Sequence, residues 1–249
     1  MPITYTVITV CLTSARSIGR TIDSVLLQEP APADYVFVDG GSTDGTQTII
    51  RSAAERSQQA GAPTRFLFLD QAGERGITPA WNQGIDASTG DLIFILNSDD
   101  WYEKGCARRV LDTFASQPDV DIVFASLRAY PRGDTTPVRI FHNRPTWLFP
   151  VLMPFMHPAT FVRRNVYNRI GRFDPSLRLL ADYDFLYRCH LAGVPSVTLD
   201  EPLVNFELGG SANSNRPLAR GEMLAVARRH GAPAPFPQLA FLARALLGR

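Results

Sequence analysis

Asp99 and Asp100 stand side by side just after Leu92-Ile93-Phe94-Ile95-Leu96, an apolar run that opens at the turn Gly90-Asp91. A short apolar run bounded by turn signals reads as a strand buried on both faces. The two carboxylates then sit past its carboxyl end, the edge at which open α/β sheets bind ligands. Two hard anionic oxygens there suit a divalent cation such as Mg²⁺ or Mn²⁺, which can in turn hold a diphosphate. They suit equally a strand-to-helix turn with an Asp as N-cap. Two other apolar runs end the same way: Tyr35-Val36-Phe37-Val38 at Asp39, and Phe66-Leu67-Phe68-Leu69 at Asp70. If the strands are parallel, three acidic sites meet on one edge, where a cation or ligand hydroxyls would relieve their repulsion.

The elements that would bring them together alternate. Strands are expected over Thr6–Leu12, Tyr35–Val38, Phe66–Asp70 and the run before Asp99, with helices over Ser17–Gln28, Thr46–Gln59 and Thr78–Ala87 between them. Strand–helix alternation implies parallel pairing through right-handed crossovers and a Rossmann-like sheet. Further on, Glu103–Gln117 reads as a helix and Asp121–Tyr130 as a strand. Residues 131–158 are rich in Pro, aromatics and Arg and lack a period, which suits a lid, an acceptor-binding wall, a membrane-facing loop or a buried irregular connection. A strand at Ala159–Arg163, helices at Arg164–Ile170 and Ala181–Ala192, short strands at Val197–Leu199 and Leu203–Phe206, and helices at Leu218–Arg229 and Leu239–Leu247 complete the reading. The organisation expected is one continuous domain in three stretches, residues 1–130, 131–210 and 211–249, the last a helical tail.

Composition narrows the class. The chain has 249 residues, 45% hydrophobic and 20% charged, as in a globular protein, and a net charge of +1 that makes no case for nucleic-acid binding. Three scattered cysteines, Cys11, Cys106 and Cys189, form neither a disulfide framework nor a zinc pattern. Met1 leads straight into a strand pattern and no apolar run approaches membrane-spanning length, so a cytoplasmic protein is expected. The segment 236–249, apolar with flanking Arg, suits peripheral contact with the inner face of a membrane, or packing on the rest of the chain or a dimer partner.

Four stretches in this order resemble family 2 glycosyltransferases of the GT-A fold. They are Val36-Phe37-Val38-Asp39-Gly40-Gly41-Ser42-Thr43-Asp44-Gly45-Thr46, Gly76-Ile77-Thr78-Pro79-Ala80-Trp81-Asn82-Gln83-Gly84-Ile85, Leu96-Asn97-Ser98-Asp99-Asp100, and Gly171-Arg172-Phe173-Asp174 with Ala181-Asp182-Tyr183-Asp184-Phe185. The fine grouping is similar to bacterial enzymes that build surface polysaccharides and lipid-linked oligosaccharides. The resemblance implies an inverting, metal-dependent transfer from a nucleotide-diphosphate sugar, a UDP-sugar first, to a hydroxyl of a glycan or lipid-linked acceptor. It implies that Asp39 binds the base, that Arg75 contacts base or phosphate, and that Asn82 belongs to the donor side, although Asn82 could instead brace its helix. It places Mg²⁺ or Mn²⁺ on Asp99 first and Asp100 second. Asn97 stands where an acidic residue is commoner and is left to hydrogen-bond a ribose hydroxyl; Thr13 stands where strand one usually ends in Asn.

The resemblance also implies that Asp182 is the general base, which would take the proton from the attacking hydroxyl. Asp184, about 200° around the helix, competes for the role and is otherwise implied on the acceptor side, since both cannot face the same pocket. His157 is implied near the acceptor or diphosphate, and Trp101 as a wall of the sugar pocket, each against a packing role. Two rivals remain: a non-catalytic nucleotide-sugar or glycan-binding protein, and a sugar-nucleotide pyrophosphorylase. The latter wants a Gly- and basic-rich loop after strand one, and Thr13-Ser14-Ala15-Arg16-Ser17-Ile18-Gly19 has a single glycine.

Overall fold

A computed structural model describes residues 2–209 and 215–232. The apolar runs become β1 (Tyr5–Cys11), β2 (Asp34–Asp39), β3 (Arg65–Asp70) and β4 (Leu92–Ile95), joined by α1 (Ile18–Leu26), α2 (Thr46–Gln59) and α3 (Ile77–Ala87). They pair in parallel in the order β3-β2-β1-β4. Every residue of β1, β2 and β4 is buried, which is why these strands read as unbroken apolar runs. Tyr5, Val7 and Cys11 of β1 face one core layer with Ile18, Ile22 and Val25 of α1; Ile8 and Val10 face the other with Trp81 and Ile85 of α3.

The second half breaks the parallel pattern. After β5 (Trp101–Tyr102) and α4 (Cys106–Ser116), β6 (Ile122–Tyr130) runs antiparallel to β7 (Arg139–Phe141) and to β8 (Thr160–Arg163), and β8 runs antiparallel to β4. Next come α5 (Arg164–Ile170), α6 (Ala181–Leu191), β9 (Ser196–Glu207) and α7 (Arg216–Arg229). The two short strands expected at Val197–Leu199 and Leu203–Phe206 are one strand. β9 pairs in parallel with β6 throughout, and a register shift opposite Ala125–Leu127 absorbs Pro202, which has no ladder N–H. The two-residue β5 was too short to show a period; it exists because β9 offers it an edge.

Residues 131–158 divide. Phe149 and Phe155 are buried, Phe155 stacking on Phe124 at 3.6 Å, so the later part is an irregular buried connection. The earlier part is exposed, with Val138, Ile140 and Trp147 in solvent. Among the described residues no helix is long and apolar enough to cross a membrane. The helix expected at Leu239–Leu247 and the membrane or dimer contact read from 236–249 lie outside the described residues.

Candidate active site

The turn after β2 is built around Asp39. Its Oδ2 accepts from Ser42 N at 2.9 Å, Gly41 N at 3.3 Å and Gln47 Nε2 at 2.6 Å; its Oδ1 accepts from Ser42 Oγ at 2.5 Å. Burial raises the Asp39 pKa, but the Ser42 and Gln47 hydrogen bonds outweigh it, so the carboxyl is held below its usual range and stays charged. The other polar residues of the motif hold the turn after β1. Ser42 Oγ accepts from Thr13 N at 2.9 Å, Thr46 Oγ1 from Ser14 N at 2.8 Å and Asp44 Oδ2 from Ala15 N at 3.0 Å. Thr13 sits there at φ 53°, a conformation that disfavours a β-branched residue and suits the commoner Asn. Arg75 crosses to the same place and donates to Gly40 O.

At the end of β4 the two acidic residues part company. Asp100 is wholly buried: its Oδ1 accepts from Glu207 N at 3.2 Å and its Oδ2 from Asn97 Nδ2 at 3.3 Å. Burial, then the neighbouring Asp99 charge, push its pKa well up. Asp100 therefore ties the turn to the end of β9, contacts that do not fit the metal role read for it; burial also raises the pKa of the half-buried Asp99. Asn97 has its Nδ2 on Asp100, which leaves Oδ1 buried with no hydrogen-bond partner. An orphaned carbonyl oxygen beside a carboxylate is a donor set that a hard cation or a ribose hydroxyl would satisfy. Among the described residues no three His, Cys, Asp or Glu side chains are grouped to hold a metal, so donor oxygens and water would have to complete the coordination.

The edge continues into the second half. Phe94 lies opposite Phe161 of the antiparallel β8, and the 3₁₀ turn His157–Ala159 just ahead of that strand brings His157 past the end of β4. His157 stacks on Trp81 at 4.4 Å, and burial lowers its pKa to about 4, so it is a neutral ring at physiological pH. Asn82 places both amide atoms on Phe173, accepting from its N at 3.0 Å and donating to its O at 2.8 Å. It braces α3 against the approach to α6, the structural option of its two readings. Thr78 Oγ1 donates to Leu177 O at 2.9 Å, so the segment ahead of Asp182 lies against the N-terminus of α3, next to the Arg75 loop.

On α6 the two aspartates have opposite surroundings. Asp184 is buried and paired with Arg188 at 2.8 Å, His230 at 2.9 Å and Arg229 at 3.5 Å. It links α6 to α7, so the acceptor role read for it does not fit its contacts. Asp182 is half-buried, and its Oδ1 accepts from Tyr183 N at 2.8 Å. Burial raises its pKa to about 6; the Tyr183 N–H opposes the shift and the Glu222 charge adds to it. Trp101 is held between Arg20, 3.5 Å above its ring, and Tyr130 at 4.8 Å, a packed position between α1 and β6.

Sequence reading passed over several residues of the site. Gln47 on Asp39, Arg16 and Arg20 on Glu207, and Glu222 before α6 are single polar residues with no spacing signal. Leu12, 62% exposed at the end of β1 and against Gly40, did carry one: an apolar side chain just past a strand end.

Fold and site together describe a sheet edge with acidic residues at its parallel strand ends and a half-buried carboxylate at the start of α6, and the comparisons give the family. Residues 6–173 match the family described as Glycosyl transferase family 2. The chain belongs to that family and is a glycosyltransferase of the GT-A fold. It is 27% identical over 191 residues to a PGL/p-HBAD biosynthesis glycosyltransferase of Mycobacterium bovis, covering 74% of this chain and 69% of that one. It is 31% identical over 192 residues to the succinoglycan biosynthesis protein ExoO of Rhizobium meliloti, covering 70% and 51%. Among solved structures, S. aureus TarS 1-349 in complex with UDP superposes with a TM-score of 0.65 at 18% identity over 90% of this chain and 65% of that one. The mannosyltransferase PcManGT from Pyrobaculum calidifontis, in complex with GDP-Man and Mn²⁺, superposes with 0.64 at 18% identity over 98% and 80%. The chain thus spans about two thirds or less of several proteins it resembles. The family match stops before Asp182.

Proposed function

We propose that this chain transfers a sugar, with inversion, from a nucleotide-diphosphate donor, UDP-linked in the first instance, to a hydroxyl of a glycan or lipid-linked acceptor in glycan biosynthesis. One observation carries the reading: Asp39 and Asp99 lie at the same edge of one sheet, on β2 and just past β4, with β1 between them. Two strand spacings separate them, roughly 10 Å, a span that suits a nucleoside diphosphate with its base at Asp39 and Arg75 and its phosphates at Asp99. The mycobacterial relative, named for PGL/p-HBAD biosynthesis, and the rhizobial one, named for succinoglycan biosynthesis, support the pathway class. The UDP-bound and GDP-mannose-bound neighbours support the donor class.

In this reading Asp182 removes the proton from the acceptor hydroxyl. That oxygen attacks the anomeric carbon on the face opposite the diphosphate, and the carbon–oxygen bond to the diphosphate breaks with its electron pair leaving on the nucleotide. A base that titrates near 6 is ionised at neutral pH yet basic enough to accept the proton in the transition state. Asp99 and the Asn97 carbonyl oxygen would hold a Mg²⁺ or Mn²⁺ ion, which when bound supplies positive charge to the leaving diphosphate. Asp39 and the Gly40–Ser42 turn orient the nucleoside, and Arg75 closes over it.

Calorimetric titration with UDP, GDP and dTDP, each with Mn²⁺ and with EDTA, tests the reading. Binding of UDP that strengthens at least about tenfold with Mn²⁺ is expected. Binding indifferent to metal would remove the ion from Asp99, and absence of binding by all three would sink the donor site.

A further inference from the structure

The carboxylate of Glu222 on α7 is buried, and it accepts from three successive backbone N–H groups. Arg178 N reaches Oε1 at 2.8 Å, and Leu179 N and Leu180 N reach Oε2 at 2.9 Å each. A buried carboxylate is tolerated only when its oxygens are satisfied, and here backbone alone supplies three donors. Those N–H groups belong to the turn that leads into α6, whose N-cap residue Leu180 offers no side-chain cap. Asp182 follows two residues later. The far end of α7 meets both sides of that turn, Arg229 on Asp174 at 2.6 Å and the His230 ring on Asp184 at 2.9 Å.

We infer that Glu222 is a positioning residue for Asp182: by holding the backbone N–H groups of residues 178–180 it fixes where the Asp182 carboxylate stands. The inference rests on the reading of Asp182 as the base. Upstream, the segment is tied by Thr78 Oγ1 on Leu177 O at 2.9 Å and by Arg229 on Asp174 at 2.6 Å, so residues 178–180 are the stretch that loosens once its N–H groups lose their acceptor. Relaxation matters because a displacement of about 1 Å in a catalytic group costs of the order of a hundredfold in rate. Glu222 also acts on Asp182 through space, its charge adding to burial in making that carboxyl less acidic. Of the other ionisable groups described around α6, Asp184 pairs with Arg188 and Arg229 and is hydrogen-bonded to His230, and Asp174 pairs with Arg229. Arg178, at the turn itself, is exposed. Glu222 therefore does two things to the base, one geometric and one electrostatic, from a helix outside the stretch that matches the family.

The test uses the whole chain labelled with ¹³C at aspartate carboxyls, the Asp182 signal being assigned by its loss in Asp182→Asn. In Glu222→Gln, which keeps an acceptor but not the charge, the Asp182 titration midpoint should fall by about half a unit or more. In Glu222→Ala, amide exchange at residues 178–180 should quicken at least about tenfold while that of α2 is unchanged. Nucleotide release from UDP-glucose, UDP-N-acetylglucosamine and GDP-mannose supplies the catalytic arm. Both variants should lower kcat with the donor KM held, and Glu222→Asp should restore part of it. An unmoved Asp182 midpoint in a folded Glu222→Gln overturns the inference, as does a kcat equal to that of the parent chain. If the midpoint moves and Asp182→Asn still releases nucleotide at the parent rate, it is the base reading that fails, and Glu222 is left a purely structural residue.

Discussion

Asp182 and Asp184 show how far two identical side chains can diverge within one turn of a helix. Asp184 is paired with two arginines and hydrogen-bonded to His230, whereas burial pushes the Asp182 carboxyl up to about 6. Its native pKa lies above the unfolded value of 3.8, so the native state gains stability below that value and loses it as pH rises through 6. Asp182→Asn should therefore abolish transfer, leave nucleotide binding nearly intact, and raise stability at pH 7 by about 1–2 kcal/mol, a few degrees in Tm. A variant that still transfers sugar would remove Asp182 from the mechanism. His157 has the opposite sign. Its native pKa of about 4 lies below the ordinary 6.5, so the stability it contributes is present above 6.5 and is lost as pH falls toward 4. His157→Phe keeps a ring on Trp81 and should flatten that loss, seen as a smaller fall in urea midpoint between pH 6.5 and 4 than in the parent chain. If transfer also survives, His157 is a packing residue; if transfer is lost in a stable variant, the acceptor-side reading gains.

At the scale of elements, the site depends on how closely β1 and β4 approach. A Cβ on Gly90 would meet Thr6 N at 2.6 Å and Tyr5 C at 2.7 Å, both backbone atoms. Neither can yield without moving β1, the strand from which the Thr13 turn springs. Gly90→Ala is expected to cost at least about 2 kcal/mol, read as a lower urea midpoint at constant m-value. A cost below half of that would mean that the two strands can part. The same scale explains the proline-rich connection. Phe149 stacks on Tyr187 at 5.2 Å and accepts a hydrogen bond from Tyr183, so a segment with no helical or strand period still backs the helix that carries Asp182. Asn82 has the parallel task on the other side, joining α3 to Phe173.

For the whole molecule, the carboxylates that hold the chain together set its acid limit. Asp34, Asp39, Asp174 and Glu207 are all pushed up by burial but held below their usual range by stronger hydrogen bonds and arginines, among them Arg65 on Asp34 and Arg16 on Glu207. Each contributes stability that is present above its unfolded pKa and is lost as pH falls through its native one. The chain carries only +1 at neutrality, so protonating them also builds up positive charge. Cooperative unfolding should set in below about pH 4, seen as a steep fall in urea midpoint; a midpoint level down to pH 3 would mean that these pairs carry no net stability.

Local pattern by itself determined the first half of this protein. Unbroken apolar runs at Tyr35–Val38 and Leu92–Ile95 can only be strands covered on both faces, and alternation with helices makes them parallel, so Asp39, Asp70 and Asp99 had to share an edge. The helices Thr46–Gln59 and Arg164–Ile170 were legible to the residue because Gly45 and Gly171 bound them. Only the tertiary structure decided which acidic side chains are tied into the fold. Asp99 and Asp100 are neighbours in sequence, and what separates them is Glu207 N, more than a hundred residues away, which draws Asp100 inward. Asn82 was readable as a motif residue, yet its partner Phe173 was not. Glu222 has no local signal at all, because a carboxylate in mid-helix acquires meaning only from the three N–H groups that the fold brings to it. Periodicity records which face of an element is buried; hydrogen bonds between residues far apart in sequence leave no trace in it, and they are what arrange this site.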